Sequence, residues 1–309
     1  MEYVGVDSGI FSKRSSTFDA FGRQRVSQVH TQIDVKHRLD KNTELVDEEI
    51  IGGASSVHNS GDASVTMSTS SDSDAVIRQT FQRAAYYGGK SHQYLFSFSG
   101  FQNESNITKR VGCFSSNTTT PFNSSLDGIF LESSNGTYYA CVYKSGIITA
   151  KIARSAWDDP MDGTGSSGLN VDFNKSQVLE IDYEYLGVGY IRFCFIIDGV
   201  FYRFHRYSHS NFGTSTYMLH SNQPIRYEVR QDGAGSGSLE MICSTAGSEG
   251  SRYTLGIDRS FNTGSSATVS AATIGSHYAI IGIRQQTAYP DIRCMIERVT
   301  LLARTNDDF

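Results

Sequence analysis

Residues 190–207 read YIRFCFIIDGVFYRFHRY. Two alternating apolar runs, 190–197 and 200–207, flank Asp198-Gly199. That pair suits a type I′ turn, whose two central residues both need positive φ, so the stretch predicts a β-hairpin. Working outward, 177–186 supplies a strand before the hairpin. Earlier strands are predicted at 63–69, 75–82, 93–101, 109–115, 128–132, 137–144 and 147–154. Later ones are predicted at 215–219, 224–230, 238–244, 277–284 and 291–304. Each is bounded by Gly, Asn, Ser or Asp. No stretch of twelve or more residues carries an amphipathic helical period. So many short strands exceed what one open sheet holds, which implies two stacked sheets or a barrel. The serine-rich stretches 68–73, 115–120 and 233–238 then read as loops at the ends.

The 309 residues carry 27 basic and 32 acidic side chains, a net charge of −5. At about 150 residues per domain, two small domains or one large all-β domain are both allowed. An aromatic content of 12% supports a packed core and excludes a disordered chain. The negative balance excludes a general nucleic-acid coat. Residues 1–50 differ from the rest: basic clusters (Lys13-Arg14, Arg23, Arg25, Lys36 to Arg38) precede an acidic run from Asp40 to Glu49. Sparse apolar residues of no sustained period mark this stretch as an arm for docking or assembly, and residues 51–309 as the sandwich.

No signal peptide is evident at the start and no apolar run approaches 18 residues, so neither secretion nor a membrane partner is expected. Five cysteines (Cys113, Cys141, Cys194, Cys243, Cys294) form no CxxC pair and sit in apolar runs, as buried free thiols do. Six Asn-x-Ser/Thr triplets (Asn103, Asn106, Asn117, Asn123, Asn135, Asn174) are what so polar a chain produces by chance.

Several motifs fail on context. Gly88-Gly89-Lys90-Ser91 ends like a phosphate loop, but Ala84 stands where a glycine is needed and a strand follows, so a turn is expected. Gly163-Thr164-Gly165-Ser166-Ser167-Gly168 fits GxGxxG without the flanking strand and helix. Asp158, Asp159 and Asp162 hint at a calcium loop, but Pro160 and Leu169 break the register, leaving a capped turn. His205 and His209 read as a solvated polar end. No Gly-x-Ser-x-Gly elbow supports a hydrolase triad. Glu180-Ile181-Asp182-Tyr183-Glu184 resembles the catalytic strand of laminarinase-like retaining glycoside hydrolases. That resemblance implies a jelly-roll fold, Glu180 as nucleophile, Asp182 as its electrostatic partner and Glu184 as acid/base. The plainer reading turns Leu179, Ile181, Tyr183 and Tyr185 to the core and the three acids to water. One tryptophan also suits no long sugar cleft. No catalytic, cofactor or metal residue is therefore assigned, and no cofactor is expected.

A second resemblance spans residues 18–250. Phe18-Asp19-Ala20-Phe21-Gly22-Arg23-Gln24-Arg25-Val26-Ser27 resembles the "DAFGRLRVS" opening of virion-associated proteins of marine tailed phages and some large DNA viruses. Further segments follow in that family's order: 63–67, Arg78-Gln79-Thr80, Gly89-Lys90-Ser91, 162–165, 182–189 and Ile242-Cys243-Ser244-Thr245. The resemblance implies a structural virion component, assembled in the host cytoplasm, rather than a reaction. The combined expectation is an all-β, two-sheet jelly-roll or concanavalin-like sandwich with an extended N-terminal arm. Its partners would be further copies of itself and other virion proteins. The alternative is a lectin-like module for a host-surface glycan, with Tyr86, Tyr87, Phe212 and Tyr217 as a stacking platform.

Overall fold

The computed structural model describes residues 18–20, 22–116 and 125–250, with isolated positions between 260 and 300. The chain divides into two compact units, Met1–Arg252 and Tyr253–Phe309, and all strands among the described residues belong to the first. In the first sheet the order is β13 (Val200–Tyr207), β12 (Ile191–Ile197), β11 (Gln177–Tyr183), β6 (His92–Ser99), β15 (Gly237–Glu249), β4 (Ser64–Thr69) and β3 (Ser55–Asn59). β1 (Val29–Lys36) pairs with the later half of β15. In the second sheet the order is β10 (Ile147–Ala153), β9 (Thr137–Lys144), β8 (Leu126–Ser134), β7 (Ile107–Ser116), β14 (Arg226–Gln231), β5 (Ala75–Thr80) and β2 (Val46–Ile51). Every pairing is antiparallel. The described part of the first unit is thus an all-β sandwich of two antiparallel sheets.

The alternation that marks half-buried strands also places the core. β6 turns Tyr94, Phe96 and Phe98 inward and leaves Gln93, Leu95 and Ser97 on the outer face. Against these rings pack Val76, Val111, Ile129, Leu131 and Tyr227 from the second sheet. The hairpin forms as expected: Ile197 pairs with Val200, and Asp198 and Gly199 take φ of 50° and 74°.

β8 is buried at all nine positions, so its alternation is hidden and the sequence shows only its middle. On the outer side of the second sheet a second cluster of Phe114, Leu126, Phe130, Cys141 and Tyr143 is buried. Beside it lies a buried charge network. Glu228 accepts from Arg226 at 2.9 Å and from Arg110 at 3.0 Å, and pairs with Arg230. Arg226 and Arg110 lie over the rings of Phe114 and Phe130.

Several expectations need correcting. Of the segment 1–50 expected as an arm, residues 29–36 and 46–51 are strands of the two sheets. β1 and β2 end or border sheets and bury only a few apolar side chains each, which is why no period stood out. Residues 215–219 form no strand; Tyr217 and Met218 are buried within a loop. Of the strand expected at 277–284, the described residues 277–279 and 282–284 form no strand, and 291–304 lies largely outside the described residues. Cys113, Cys141 and Cys194 are buried free thiols, but Cys243 is exposed, because it points out of the first sheet. Cys294 is outside the described residues.

Candidate functional site

The glycines of the expected turn at 88–91 and of the loop at 163–168 behave as read. Lys90 N donates to Tyr87 O at 3.1 Å with Gly89 at φ 81°. The Asp159 carboxylate accepts from Met161 N at 3.1 Å and Ser167 N at 2.7 Å, a capped turn. His205 and His209 are buried rather than solvated. His205 lies 3.5 Å from Asp158, and His209 bridges the Tyr207 hydroxyl and Ser215 O at 2.7 and 2.5 Å.

The acids of β11 carry the main correction. Register with β6 and β12 runs unbroken through the strand, so Leu179, Ile181 and Tyr183 fill the core and Glu180 and Asp182 point to the opposite face. That face is not open to water: Glu180 and Asp182 are 0% exposed and Glu184 is 1% exposed. The physical reason is the stretch just before β1. Residues 18–25 close on themselves, with Asp19 N donating to Arg23 O at 2.8 Å, Arg23 N donating to the Asp19 carboxylate at 2.7 Å and Gly22 at φ 76°. This small loop is seated over the acids.

Arg25 is the centre of the seat. Its Nη2 donates to Asp182 Oδ2 at 2.7 Å, its Nε to Glu249 Oε1 at 2.9 Å, and its Nη1 lies 3.7 Å from Glu180. Arg192 also pairs with Asp182 and donates to Phe18 O at 2.7 Å. Ser91 donates its hydroxyl to Asp182 and accepts Ala20 N at 3.2 Å. Gln93 donates to Glu180 at 2.5 Å. Glu184 accepts the Tyr86 hydroxyl at 2.6 Å, and that hydroxyl in turn accepts Leu186 N at 3.0 Å. Burial pushes the Glu184 carboxyl up to about 7 although the Tyr86 hydrogen bond opposes the shift. Burial and the neighbouring Asp19 also raise Glu249.

The three acids are held by protein groups: Asp182 pairs with Arg25 and Arg192, Glu180 accepts from Gln93 and lies 3.7 Å from Arg25, and Glu184 accepts from Tyr86. A retaining hydrolase needs two accessible carboxyls about 5–5.5 Å apart across a sugar, and this face offers neither access nor a free nucleophile. Sequence reasoning gave no role at this face to Arg25, Arg192 or Gln93, and the last two lie in no quoted motif. Yet 18–27, 89–91 and 182–189, three segments of the virion resemblance, converge here. That convergence is the signal a sequence could have offered.

Farther along the same outer face the sheet is open. A shallow groove of about 410 Å³ is lined by Ser97, Asn170, Asp172, Lys175, Gln177 and Asp198 among others. The expected stacking platform is only partly present: Tyr217 is fully buried, Tyr86 is held by Glu184, Tyr87 is half-buried and Phe212 is exposed.

No protein-family model matches the chain, and no curated protein matches its sequence. Solved structures of similar fold include the Emp47p carbohydrate recognition domain, at 10% identity and a TM-score of 0.41, covering 78% of this chain and 98% of that one. A Bacillus licheniformis beta-glucanase has 12% identity and a TM-score of 0.46, with coverage of 73% and 100%. The VIP36 exoplasmic/lumenal domain, bound to calcium and Man3GlcNAc, has 7% identity and a TM-score of 0.45, with coverage of 74% and 93%. At these values the likeness concerns the path of the chain alone.

Proposed function

We propose that the chain is a structural component of a virion, a β-sandwich that acts by docking rather than by catalysis. One observation carries this reading: the segments that resemble virion proteins form a lock, in which residues 18–25 close the acidic face of β11. Residues shared for their chemistry would line an accessible site; these are spent on holding the N-terminal segment in place. The docking role expected of residues 1–50 falls, in this reading, to residues 1–17, which precede the lock. The test is native mass by light scattering for the full chain and for the chain lacking residues 1–17. A defined oligomer that falls to monomer while the circular dichroism spectrum is kept supports the reading. The same mass for both chains overturns it.

A second reading, a lectin-like module for a host-surface glycan, is favoured by the groove at Ser97, Asp172, Lys175 and Gln177. Its amide, hydroxyl and carboxylate groups suit the hydroxyls of a sugar. A glycan array of the full chain beside Gln177→Ala tests it: signal lost in the variant supports it, and no signal for either chain removes it.

A further inference from the structure

Lys109 is 0% exposed, although a lysine is almost never fully buried without partners. It stands on β7 between Ile107 and Val111, and the two-residue period of that strand turns all three side chains toward the core. The β6–β7 connection, residues 100–106, catches its amine. Lys109 Nζ donates to Gly100 O at 2.6 Å and to Gln102 O at 3.1 Å, and lies 2.9 Å from Glu104 Oε2.

Those acceptors account for an ammonium, but not for the side chain of Gln102. Gln102 Nε2 donates to Glu104 Oε1 at 2.8 Å, so one carboxylate holds the lysine amine at one oxygen and the carboxamide at the other. Gln102 Oε1 is buried with no hydrogen-bond partner among the described residues, a costly arrangement. It lies close to Gly100, whose carbonyl holds Nζ: a Cβ on Gly100 would stand 3.9 Å from it. The neighbouring carboxamides are engaged elsewhere. Asn103 Oδ1 accepts the Ser133 hydroxyl at 3.0 Å, and Asn106 Nδ2 donates to Ala234 O at 2.8 Å.

The constellation is held in place. Ile107 N donates to Glu104 O at 3.2 Å, and Asn103 N donates to the Tyr138 hydroxyl at 3.2 Å. A Cβ on Gly237 would stand 2.7 Å from Glu104 Oε2, so the carboxylate is closely roofed. An amine and a carboxamide fixed on one carboxylate, with the amine out of water, are the parts of an intramolecular transamidation.

We propose that Lys109 and Gln102 join in an amide bond, with Glu104 as the proton carrier. Glu104 takes a proton from the ammonium, the free amine attacks Gln102 Cδ, and the Nζ–Cδ bond forms. The carboxyl passes its proton to Nε2, the Cδ–Nε2 bond breaks and ammonia leaves. The second proton shed by Nζ departs with that ammonia. One ammonium and one carboxamide thus become one secondary amide and one ammonium ion; Glu104 ends as it began, and nothing is oxidised or reduced. Burial favours the first step because it lowers the pKa of Lys109, a shift that Glu104 opposes. The bond closes a ring from residue 102 to residue 109 and fixes the β6–β7 connection to the core face of β7. It is independent of the proposed virion role.

Mass spectrometry of the full chain tests it. The expected intact mass is lower than that of the sequence by one ammonia. After unfolding and digestion with a protease that cuts at glutamate, the pieces on either side of Glu104 should stay joined. Lys109→Arg keeps the charge without the nucleophile, and Glu104→Gln removes the proton carrier, so each should show the full mass of its own sequence. A parent chain at its full sequence mass overturns the proposal. So does loss of one water, which marks an amide to Glu104 itself, and so does an ammonia loss that maps to another peptide such as the Asn135-Gly136 turn. Ammonia loss from the 102–109 region that persists in Glu104→Gln overturns the part given to the carboxylate.

Discussion

Arg25 pairs with three carboxylates while its own side chain is only 10% exposed. Removing it takes a guanidinium from buried Glu180 and Asp182 and leaves Glu249 with Arg23 at 3.8 Å, and breaking such a buried pair costs about 3–5 kcal/mol. Arg25→Ala should therefore lower stability by that order in urea unfolding, and should raise proteolytic cleavage near residues 18–27. Glu184 behaves differently, because the fold favours its neutral form. Its carboxyl rises from an ordinary 4.5 to about 7, so its contribution is full below pH 4.5 and is lost as pH rises through 7. Glu184→Gln keeps an uncharged group there at every pH. The variant should gain on the parent between pH 4.5 and 7 and stay ahead above it, by roughly 2–4 °C in melting temperature at pH 8. Parallel melting curves across that range would remove the argument. Neither role was legible in the sequence. The alternation of 179–185 correctly separated core from outer face, but alternation says nothing about whether a segment distant in the chain covers that face.

At the scale of elements, the loop from β11 to β12 is built on close approach. Gly187 takes φ 79°, and a Cβ on Gly189 would stand 1.8 Å from Glu184 O, a backbone atom that cannot yield alone. Gly189→Ala should force the loop open and lower stability by about 1–3 kcal/mol, the usual range for overpacking a tight site. Since this loop holds Tyr185 and accepts Tyr217 N, the same variant should loosen the 208–225 loop as well. The hairpin at 190–207 and most central strands were readable because their turn chemistry and their two-residue period agree. β1, β2 and β3 were not. They sit at or near sheet borders, where one face and one edge meet water, so few of their positions demand an apolar side chain. Truncation shows the difference: a chain lacking residues 1–50 loses β1, β2 and Arg25 together and should not fold, as read by near-ultraviolet circular dichroism. A chain lacking 1–17 should keep its spectrum.

In the first unit the central strands of the second sheet, β5, β7, β8 and β14, are largely buried on both faces, and the outer of these faces is ionic as well as apolar. Burial pushes Glu228 up, but Arg226, Arg110 and Arg230 outweigh that and hold it at about 2. Its contribution is therefore present above pH 4.5 and is lost as pH falls through 2. Glu228→Gln removes the carboxylate shared by Arg226, Arg110 and Arg230 and should cost about 3–5 kcal/mol at pH 7, with the deficit shrinking toward pH 2. A deficit independent of pH would point to packing instead of charge. Long-range pairings of this kind leave no trace in local pattern, since Arg110 and Glu228 are 118 residues apart.

The pairing of β1 with β15 has a mechanical consequence. Val29 lies opposite Glu249 and Lys36 opposite Cys243, so the chain enters and leaves this pair at the same end. A pull applied between residues 18 and 250 therefore peels the two strands apart one rung at a time, instead of shearing all rungs together. Resistance to such a pull is concentrated at the first rung, where Gly250 N donates to Gln28 O and Arg25 grips Glu249 and Asp182. Under such a pull, the lock is the latch of the zip: while it holds, the sheet behind it bears no force.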